Sequence, residues 1–165
     1  MKRPEPTLQD FVAVLPPSGA LLGLDLGTKT IGLALSDTGR SIASPLLVIR
    51  RTKFQADLAE LRRVIDIHAP VGLVLGLPVN MDGSEGPRAQ ATRGFARNMA
   101  NTVTLPLLFW DERLSTAAVT RTLIEADTSR KRRGEVVDKV AAAYILQGAL
   151  DRMRRLADEA APATG

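Results

Sequence analysis

Short runs of hydrophobic residues alternate along this chain with longer segments in which hydrophobic residues recur every three or four positions. Short runs bounded by glycine, proline and polar residues are typical of strands. The wider spacing is typical of helices that pack one face on a core. The predicted strands cover residues 21–25, 31–36, 45–49, 71–76 and 105–110, and the predicted helices cover 54–68, 87–100, 115–126 and 136–156.

The order of these elements predicts the fold class. Three strands come first, beginning with a hairpin, and the later strands alternate with helices, which favours a mixed α/β sheet with helices packed on it. A polar loop is expected at 80–86 and a basic loop at 128–134. Four prolines in residues 1–19 indicate a flexible leader, and residues 158–165 indicate a disordered tail, which leaves 20–157 as one domain.

Composition excludes several kinds of site. The chain has 165 residues, 45% of them hydrophobic, which favours one folded domain with a real core. It has no cysteine, so disulfides, thiol catalysis and cysteine-bound zinc are excluded. Its single histidine, His68, excludes a histidine-rich metal site. His68 stands at a predicted helix end before Pro70, and we interpret it as structural.

Charge and hydropathy indicate the cellular location of the protein and the kind of partner it binds. No hydrophobic run approaches the roughly 20 residues needed to span a bilayer, and the prolines that follow Lys2 and Arg3 are unlike a secretory signal. We therefore expect a cytoplasmic protein with no membrane partner. A net charge of +4 and a pI near 10.0 favour an anionic partner, although many basic proteins bind none.

Acidic residues stand out at three places in the sequence. Asp25 lies inside the first predicted strand, where an unpaired buried charge would be too costly. Asp111 and Glu112 follow the fifth strand, and Asp138 lies in the first turn of the last helix, before three alanines that would let this helix approach the sheet. Carboxylates without histidine or cysteine select hard cations such as Mg²⁺ or Mn²⁺. Two such ions about 4 Å apart support phosphodiester hydrolysis.

Each acid also has a purely structural interpretation. Asp25 could accept hydrogen bonds within its own turn. Asp111 and Arg113 could form a surface turn with a local ion pair. Asp138 could complement the dipole of its helix.

Four consecutive cations precede the helix that carries Asp138. In a loop they could follow a phosphate backbone, with binding that weakens steeply as salt rises, or they could form a solvated surface. The loop at 79–84 could touch substrate or simply connect two elements. Trp110 is expected to pack at its strand end, with stacking on a base as the alternative. The four cations are Arg130, Lys131, Arg132 and Arg133.

Four segments, taken together and in order, carry a family resemblance. They are GLDLG with IGLA and SD near the first two strands, VLGLP with MDGS, DERLST after the fifth strand, and VDKVAA in the last helix. The chain resembles the YqgF family, also called RuvX-like Holliday junction resolvases or pre-16S rRNA nucleases. The resemblance covers roughly residues 20–152.

This resemblance implies a ribonuclease H-like fold, in which a five-stranded mixed β-sheet is flanked by α-helices. It implies a nuclease that uses two Mg²⁺ or Mn²⁺ ions held by Asp25, Glu112 and Asp138, with Asp111 as the weaker candidate ligand. Where the family often has an arginine, this chain has Lys29 and Thr30, so Lys29 is the only nearby cation expected to hold phosphate. The expected nucleic-acid contacts are Lys29, Arg113 and the four cations Arg130, Lys131, Arg132 and Arg133.

By the same resemblance, the substrate is structured RNA, the 5′ region of precursor 16S ribosomal RNA, met in ribosomal precursor particles. Branched DNA is the rival substrate. A four-way junction is two-fold symmetric and is usually cut by a dimer, so a monomer and a homodimer both stay open.

Two hypotheses from other classes remain. Residues 25–29 also resemble the phosphate-binding hairpin of actin-like sugar kinases and ATPases, which need two such domains around a nucleotide. A nucleic-acid-binding module could also keep the fold without the activity, because fold alone does not settle function.

Overall fold

The structure, a computed structural model, describes residues 5–115 and 130–160, and within 130–138 it describes the backbone. The strands are β1 (Leu21–Leu26), β2 (Thr30–Ser36), β3 (Ala43–Arg50), β4 (Gly72–Leu77) and β5 (Leu107–Asp111). The helices are α1 (Leu8–Val14), α2 (Phe54–His68), α3 (Pro87–Met99) and α4 (Arg130–Ala160), and a short 3-10 helix spans Glu112–Leu114.

The five strands form one mixed sheet in the order β3-β2-β1-β4-β5, which confirms the predicted architecture. β1, β2 and β3 pair antiparallel as a meander. β4 pairs parallel with β1 on one side and with β5 on the other. The carboxyl ends of β1, β4 and β5 therefore meet at one edge of the sheet, where ligands commonly bind in open α/β sheets.

Alternate side chains of the strands fill a hydrophobic layer on each face of the sheet. On one face, Leu24 and Leu75 belong to the layer that packs with α2 and α3. On the other face, Leu21 and Val74 belong to the layer that packs with α4. Every residue of β1 and β4 is buried, as expected for strands covered on both faces.

Most predicted elements are confirmed with ends shifted by one or two residues, and α2 has the predicted bounds. This helix ends because Ala69 adopts the left-handed conformation, with a φ of 47°, and donates its N–H to the Ile65 carbonyl. None of the helices that the structure describes combines the length and hydrophobicity needed to cross a bilayer.

Part of the expected flexible leader is structured. Within 1–19, helix α1 begins with a capping box in which Thr7 and Asp10 bond each other's backbone N–H. Phe11 of this helix is only 1% exposed, and its ring lies 3.0 Å from where a Cβ on Gly72 would stand. The prolines predicted disorder, but Phe11 and Leu15 pack this segment on the amino-terminal end of β4.

A second contact holds the same segment. Arg93 of α3 donates to both carboxylate oxygens of Glu85, and it also lies 3.0 Å from the Glu5 carboxylate. The Arg93 guanidinium lowers the pKa of Glu85. The leader is therefore attached both to the sheet and to α3.

The basic residues before Asp138 are helical, so the predicted loop at 128–134 is wrong for the part that is described. Arg130, Lys131, Arg132 and Arg133 form the start of α4. Arginine and lysine are good helix formers, and one glycine costs a long helix only about 1 kcal/mol. The expected tail at 158–165 is also shorter, because α4 continues to Ala160. The helix predicted at 115–126 lies, after its first residue, outside the described residues.

Candidate functional site

Asp25 lies near the carboxyl end of β1, on the face of the sheet that α4 covers. It is 2% exposed, and alternation along β1 places it on the same face as Gly23. A Cβ on Gly23 would lie 2.8 Å from the Leu146 Cβ and 3.1 Å from the Ala142 carbonyl oxygen. The helix therefore nearly touches β1 two residues before Asp25, as the run of alanines predicted.

Glu112 reaches the same face from β5. Its Oε1 lies 3.1 Å from where a Cβ on Gly76 of β4 would stand. Leu24 pairs with Leu75, so the next step of this parallel register sets Asp25 beside Gly76. Adjacent strands lie about 4.8 Å apart. The carboxylates of Asp25 and Glu112 therefore belong to one small region at the carboxyl edge of the sheet.

Asp111 lies on the opposite face and is engaged by its own neighbour. Arg113 donates from Nε to both carboxylate oxygens of Asp111, at 3.1 Å each, and from Nη2 to Oδ2 at 2.7 Å. The backbone N–H of Arg113 donates to the same carboxylate at 2.9 Å. This guanidinium lowers the pKa of Asp111. For this pair the structure shows the local ion pair that was the alternative interpretation.

Arg113 also connects the tip of β5 to the polar loop at 80–86. Its Nη1 donates to the Met81 carbonyl at 3.3 Å. Inside the loop, the Ser84 hydroxyl and N–H both donate to the Asp82 carboxylate, which lowers the pKa of Asp82. The loop is thus internally bonded and attached to Arg113, while the Met81 side chain stays 89% exposed.

Asp138 is placed only through its backbone. It belongs to α4 and precedes Ala142 by four residues, which corresponds to about 6 Å along a helix axis. Its side chain and those of Arg130–Arg133 lie outside the described side chains, so their roles stay predictions. Among the side chains that are described, no three acidic or histidine residues converge as a metal site.

Two cations that the sequence did not predict lie beside the β1–β2 turn. Arg51 Nη1 donates to the Gly27 carbonyl at 2.6 Å, and Arg88 Nη2 donates to the Leu26 carbonyl at 3.4 Å. Lys29 is exposed in the same turn, and its carbonyl accepts from the Arg51 N–H at 2.8 Å. The expectation that Lys29 is the only cation here is therefore wrong. In the sequence, the weak indication of these cations was the Arg50-Arg51 pair at the end of the third strand. Pairing of β3 with β2 places this pair beside the β1–β2 turn.

The aromatic residue beside the site is structural. Trp110 is 7% exposed, and its ring lies 3.0 Å from where a Cβ on Gly148 would stand. This confirms packing at the strand end rather than stacking on a base. Its Nε1 has no hydrogen-bond partner within the described part of the chain.

Comparisons with known proteins identify the family of this chain. A family model described as "RuvX: Holliday junction resolvase" matches residues 19–152. A protein of Paracoccus denitrificans (strain Pd 1222) named "Putative pre-16S rRNA nuclease" is 65% identical over 149 residues, which cover 90% of this chain and 94% of that protein. A protein of the same name from Cereibacter sphaeroides (strain ATCC 17025 / ATH 2.4.3) is 64% identical over 153 residues, which cover 93% and 96%.

A solved structure supports the fold. RuvC of T. thermophilus, in complex with a Holliday junction substrate, superposes with a TM-score of 0.53 at 13% identity, covering 82% of this chain and 96% of that one. The likeness confirms the expected ribonuclease H-like α/β fold.

Proposed function

This chain belongs to the RuvX family, and from that premise we propose that it is a metal-dependent nuclease that processes the 5′ end of precursor 16S ribosomal RNA. The substrate in this proposal is taken from the names of the relatives, and the class of reaction is taken from the family. We place the reaction in the cytoplasm, on RNA within ribosomal precursor particles.

One observation carries the proposal. A buried carboxylate, Asp25, and a second carboxylate, Glu112, are brought to one face at the carboxyl edge of the sheet, over the glycine at position 76. Glycine at that position leaves room that any side chain would fill. Two carboxylates with no cysteine or histidine beside them fit Mg²⁺ or Mn²⁺.

We assign Asp138 as the third acid, because α4 lies against β1 and carries Asp138 one turn before the point of contact. When bound, a pair of divalent ions would lower the pKa of the attacking water and stabilise the leaving oxygen. Asp25, Glu112 and Asp138 would hold these ions. The chain's own contribution is to carry the three carboxylates on β1, on the short 3-10 helix after β5 and on α4, rather than on mobile loops.

Asp111 has a different role in this proposal. Its carboxylate oxygens are already engaged by Arg113, so we assign Glu112 rather than Asp111 as the ligand from this segment. The Asp111–Arg113 pair positions the loop that carries Met81. Contacts to the RNA backbone come from Lys29 and from the cations in the first turn of α4.

Resolution of a four-way DNA junction is the second candidate, and the description of the matching family model favours it. The chemistry would be the same and the substrate different. A resolvase that cuts both strands of a symmetric junction works as a dimer, whereas RNA processing has no such requirement. The actin-like ATPase hypothesis gains no support, because the family match over 19–152 includes the hairpin on which it rested.

The test uses the full chain and two acid variants, Glu112→Gln and Asp138→Asn. Each protein is incubated with labelled precursor 16S RNA and with a labelled four-way DNA junction, in Mg²⁺, in Mn²⁺ and in chelator. Glu60→Gln, an exposed acid on α2, is the control. We expect metal-dependent cutting of the RNA that both site variants lose and the control keeps.

Other outcomes are equally informative. Cutting of the junction alone would replace the RNA proposal with junction resolution. Binding of either substrate with no cutting at any metal concentration would overturn the nuclease proposal in favour of a binding module.

A further inference from the structure

An open pocket lies beside the β1–β2 turn, on the face of the sheet opposite to Asp25. Its floor is apolar and includes Leu26 and Phe95, and its rim carries the guanidinium groups of Arg51 and Arg88. Gly27 and Thr28 of the turn complete one wall. The pocket therefore adjoins the same strand end as the proposed site, without sharing any of its carboxylates.

Arg88 brings positive charge that no carboxylate among the described residues neutralises. Its side chain is exposed at the first turn of α3 and its Nη2 donates to the carbonyl of Leu26, the last residue of β1. In the described part of the chain, no carboxylate forms an ion pair with Arg88. The guanidinium is thus tethered to the end of β1, where Arg88 lines the pocket.

Arg51 is the more firmly fixed of the two cations. Its Nη1 donates to the Gly27 carbonyl at 2.6 Å, and its Nε lies 4.0 Å from the buried Asp57 carboxylate. Asp57 also accepts from the N–H of Thr52 at 2.9 Å, which fixes this carboxylate behind Arg51. The Arg51 guanidinium stands 5.8 Å from the centre of the Phe95 ring, which holds it at the pocket edge.

Two guanidiniums directed at one strand end form a site for an oxyanion. Arginine binds phosphate through paired N–H groups in a fixed plane, which makes it the preferred side chain for this task. The apolar floor accepts the sugar or base that accompanies a phosphate in nucleic acid but does not accompany inorganic phosphate. Gly27 follows Asp25 by two residues, so the two Cα atoms are at most about 7 Å apart.

We propose that this pocket binds a backbone phosphate of the substrate strand close to the bond that is cut, with Arg88 and Arg51 as its ligands. The inference rests on the proposed nuclease function, because it assigns a substrate subsite to that enzyme. The strand would cross the carboxyl edge of the sheet, over the turn that carries Lys29, from the α4 face to the α3 face.

The test measures RNA binding in chelator, where no cutting occurs. Arg88→Ala is compared with Arg97→Ala, which removes the same charge from the last turn of the same helix, away from the pocket. We expect Arg88→Ala to weaken binding of a single-stranded precursor fragment about tenfold at low salt. We also expect it to reduce the slope of log affinity against log salt by about 1. Arg97→Ala should change neither quantity, and Arg88→Lys should restore part of the affinity.

A second measurement locates the phosphate. A series of RNAs, each with one neutral methylphosphonate linkage, is titrated against the wild type and Arg88→Ala. One linkage within three nucleotides of the cut should weaken binding by the wild type and have no effect on Arg88→Ala. The subsite would be overturned if Arg88→Ala and Arg97→Ala had the same RNA affinity and salt slope. It would also be overturned if no methylphosphonate linkage in the series had this effect.

These results separate the subsite from the nuclease. If the protein cuts RNA and Arg88→Ala binds RNA as tightly as the wild type, the proposed function stands and the subsite is wrong. If the protein cuts nothing but one linkage still affects binding only when Arg88 is present, the subsite stands as part of a binding module.

Discussion

Glu112 occupies space that exists because residue 76 is glycine. Its Oε1 lies 3.1 Å from where a Cβ on Gly76 would stand, and the Ile145 Cδ1 of α4 would lie only 2.5 Å from that Cβ. The side chains of Ile145 and Glu112 therefore both approach the strand at Gly76, which has no side chain to keep them away. The geometry of the proposed site depends on this close approach.

Replacing Gly76 by alanine should damage both stability and cleavage. The added methyl group meets Ile145 and the Glu112 carboxylate, and overpacking of this kind costs about 1–3 kcal/mol. We expect a lower free energy of unfolding in urea and a large loss of cleavage rate. Gly94→Ala is the matched control, since it lies within α3 and its nearest neighbour is the flexible end of Arg97 at 3.6 Å. Wild-type cleavage by Gly76→Ala would contradict the placement of Glu112.

Asp25→Asn should abolish cleavage and leave folding and RNA binding nearly intact. The amide keeps the shape of the side chain but removes the charge that a divalent cation requires. We expect the rate to fall by more than the roughly 10–100-fold that loss of an outer-sphere partner costs a metal enzyme. Single-turnover cleavage, alongside thermal unfolding of both proteins, measures this. Normal cutting by the variant would remove Asp25 from the proposed site.

Arg113→Ala should change the pH dependence of stability. Because Arg113 holds the pKa of Asp111 below its ordinary value, the ionised pair stabilises the folded state above the unfolded pKa of Asp, near 4. That contribution disappears as pH falls through the lower folded value. Unfolding curves of the wild type and the variant should therefore differ most near neutral pH and converge below about pH 4. Curves that keep the same separation down to pH 2 would mean that the ion pair adds nothing.

Phe11→Ala should destabilise the whole domain, because its ring packs where β4 begins. Removing a buried phenylalanine typically costs about 3–5 kcal/mol. Val14→Ala, on the same helix at a position that is 64% exposed, should cost little. Urea unfolding of the two variants compares them directly. If both variants unfold like the wild type, the segment before β1 is not part of the folding unit.

Replacing Arg132 and Arg133 by alanine should weaken RNA binding and reduce its dependence on salt. Each lost phosphate contact lowers the slope of log affinity against log salt by about 1. Both residues begin a helix rather than lie in a loop, so helix content should stay close to that of the wild type. Fluorescence anisotropy at several salt concentrations gives the slope. An unchanged slope would assign these cations to the solvated surface.

Hydrophobic periodicity predicted the sheet and α2 well because burial itself sets that pattern. Leu58 and Leu61 are spaced for one face of a helix, and both are buried there. The same reasoning placed Asp25 and Glu112 at strand ends, and parallel pairing through β4 then brings those ends together. Local pattern and tertiary structure agree at these positions.

The pattern failed where contacts between distant segments decide the structure. Phe11 packs on β4 and Glu5 pairs with Arg93, and these contacts attach a segment whose composition suggests disorder. Arg51 and Arg88 meet at the β1–β2 turn only because β3 and α3 both return to it. Asp111 and Glu112 are adjacent in sequence, yet Asp111 pairs with Arg113 on one face and Glu112 reaches the α4 face. The spacing of residues within one segment cannot predict these tertiary contacts.

The order of the sheet also governs when this protein becomes competent during its own synthesis. β4 separates β1 from β5, and α4, the last element, covers the face that carries Asp25 and Glu112. A chain in which α4 has not yet packed therefore holds Asp25 and Glu112 on an uncovered sheet face, without the helix that carries Asp138. Assembly of the proposed site is in this way tied to completion of the fold.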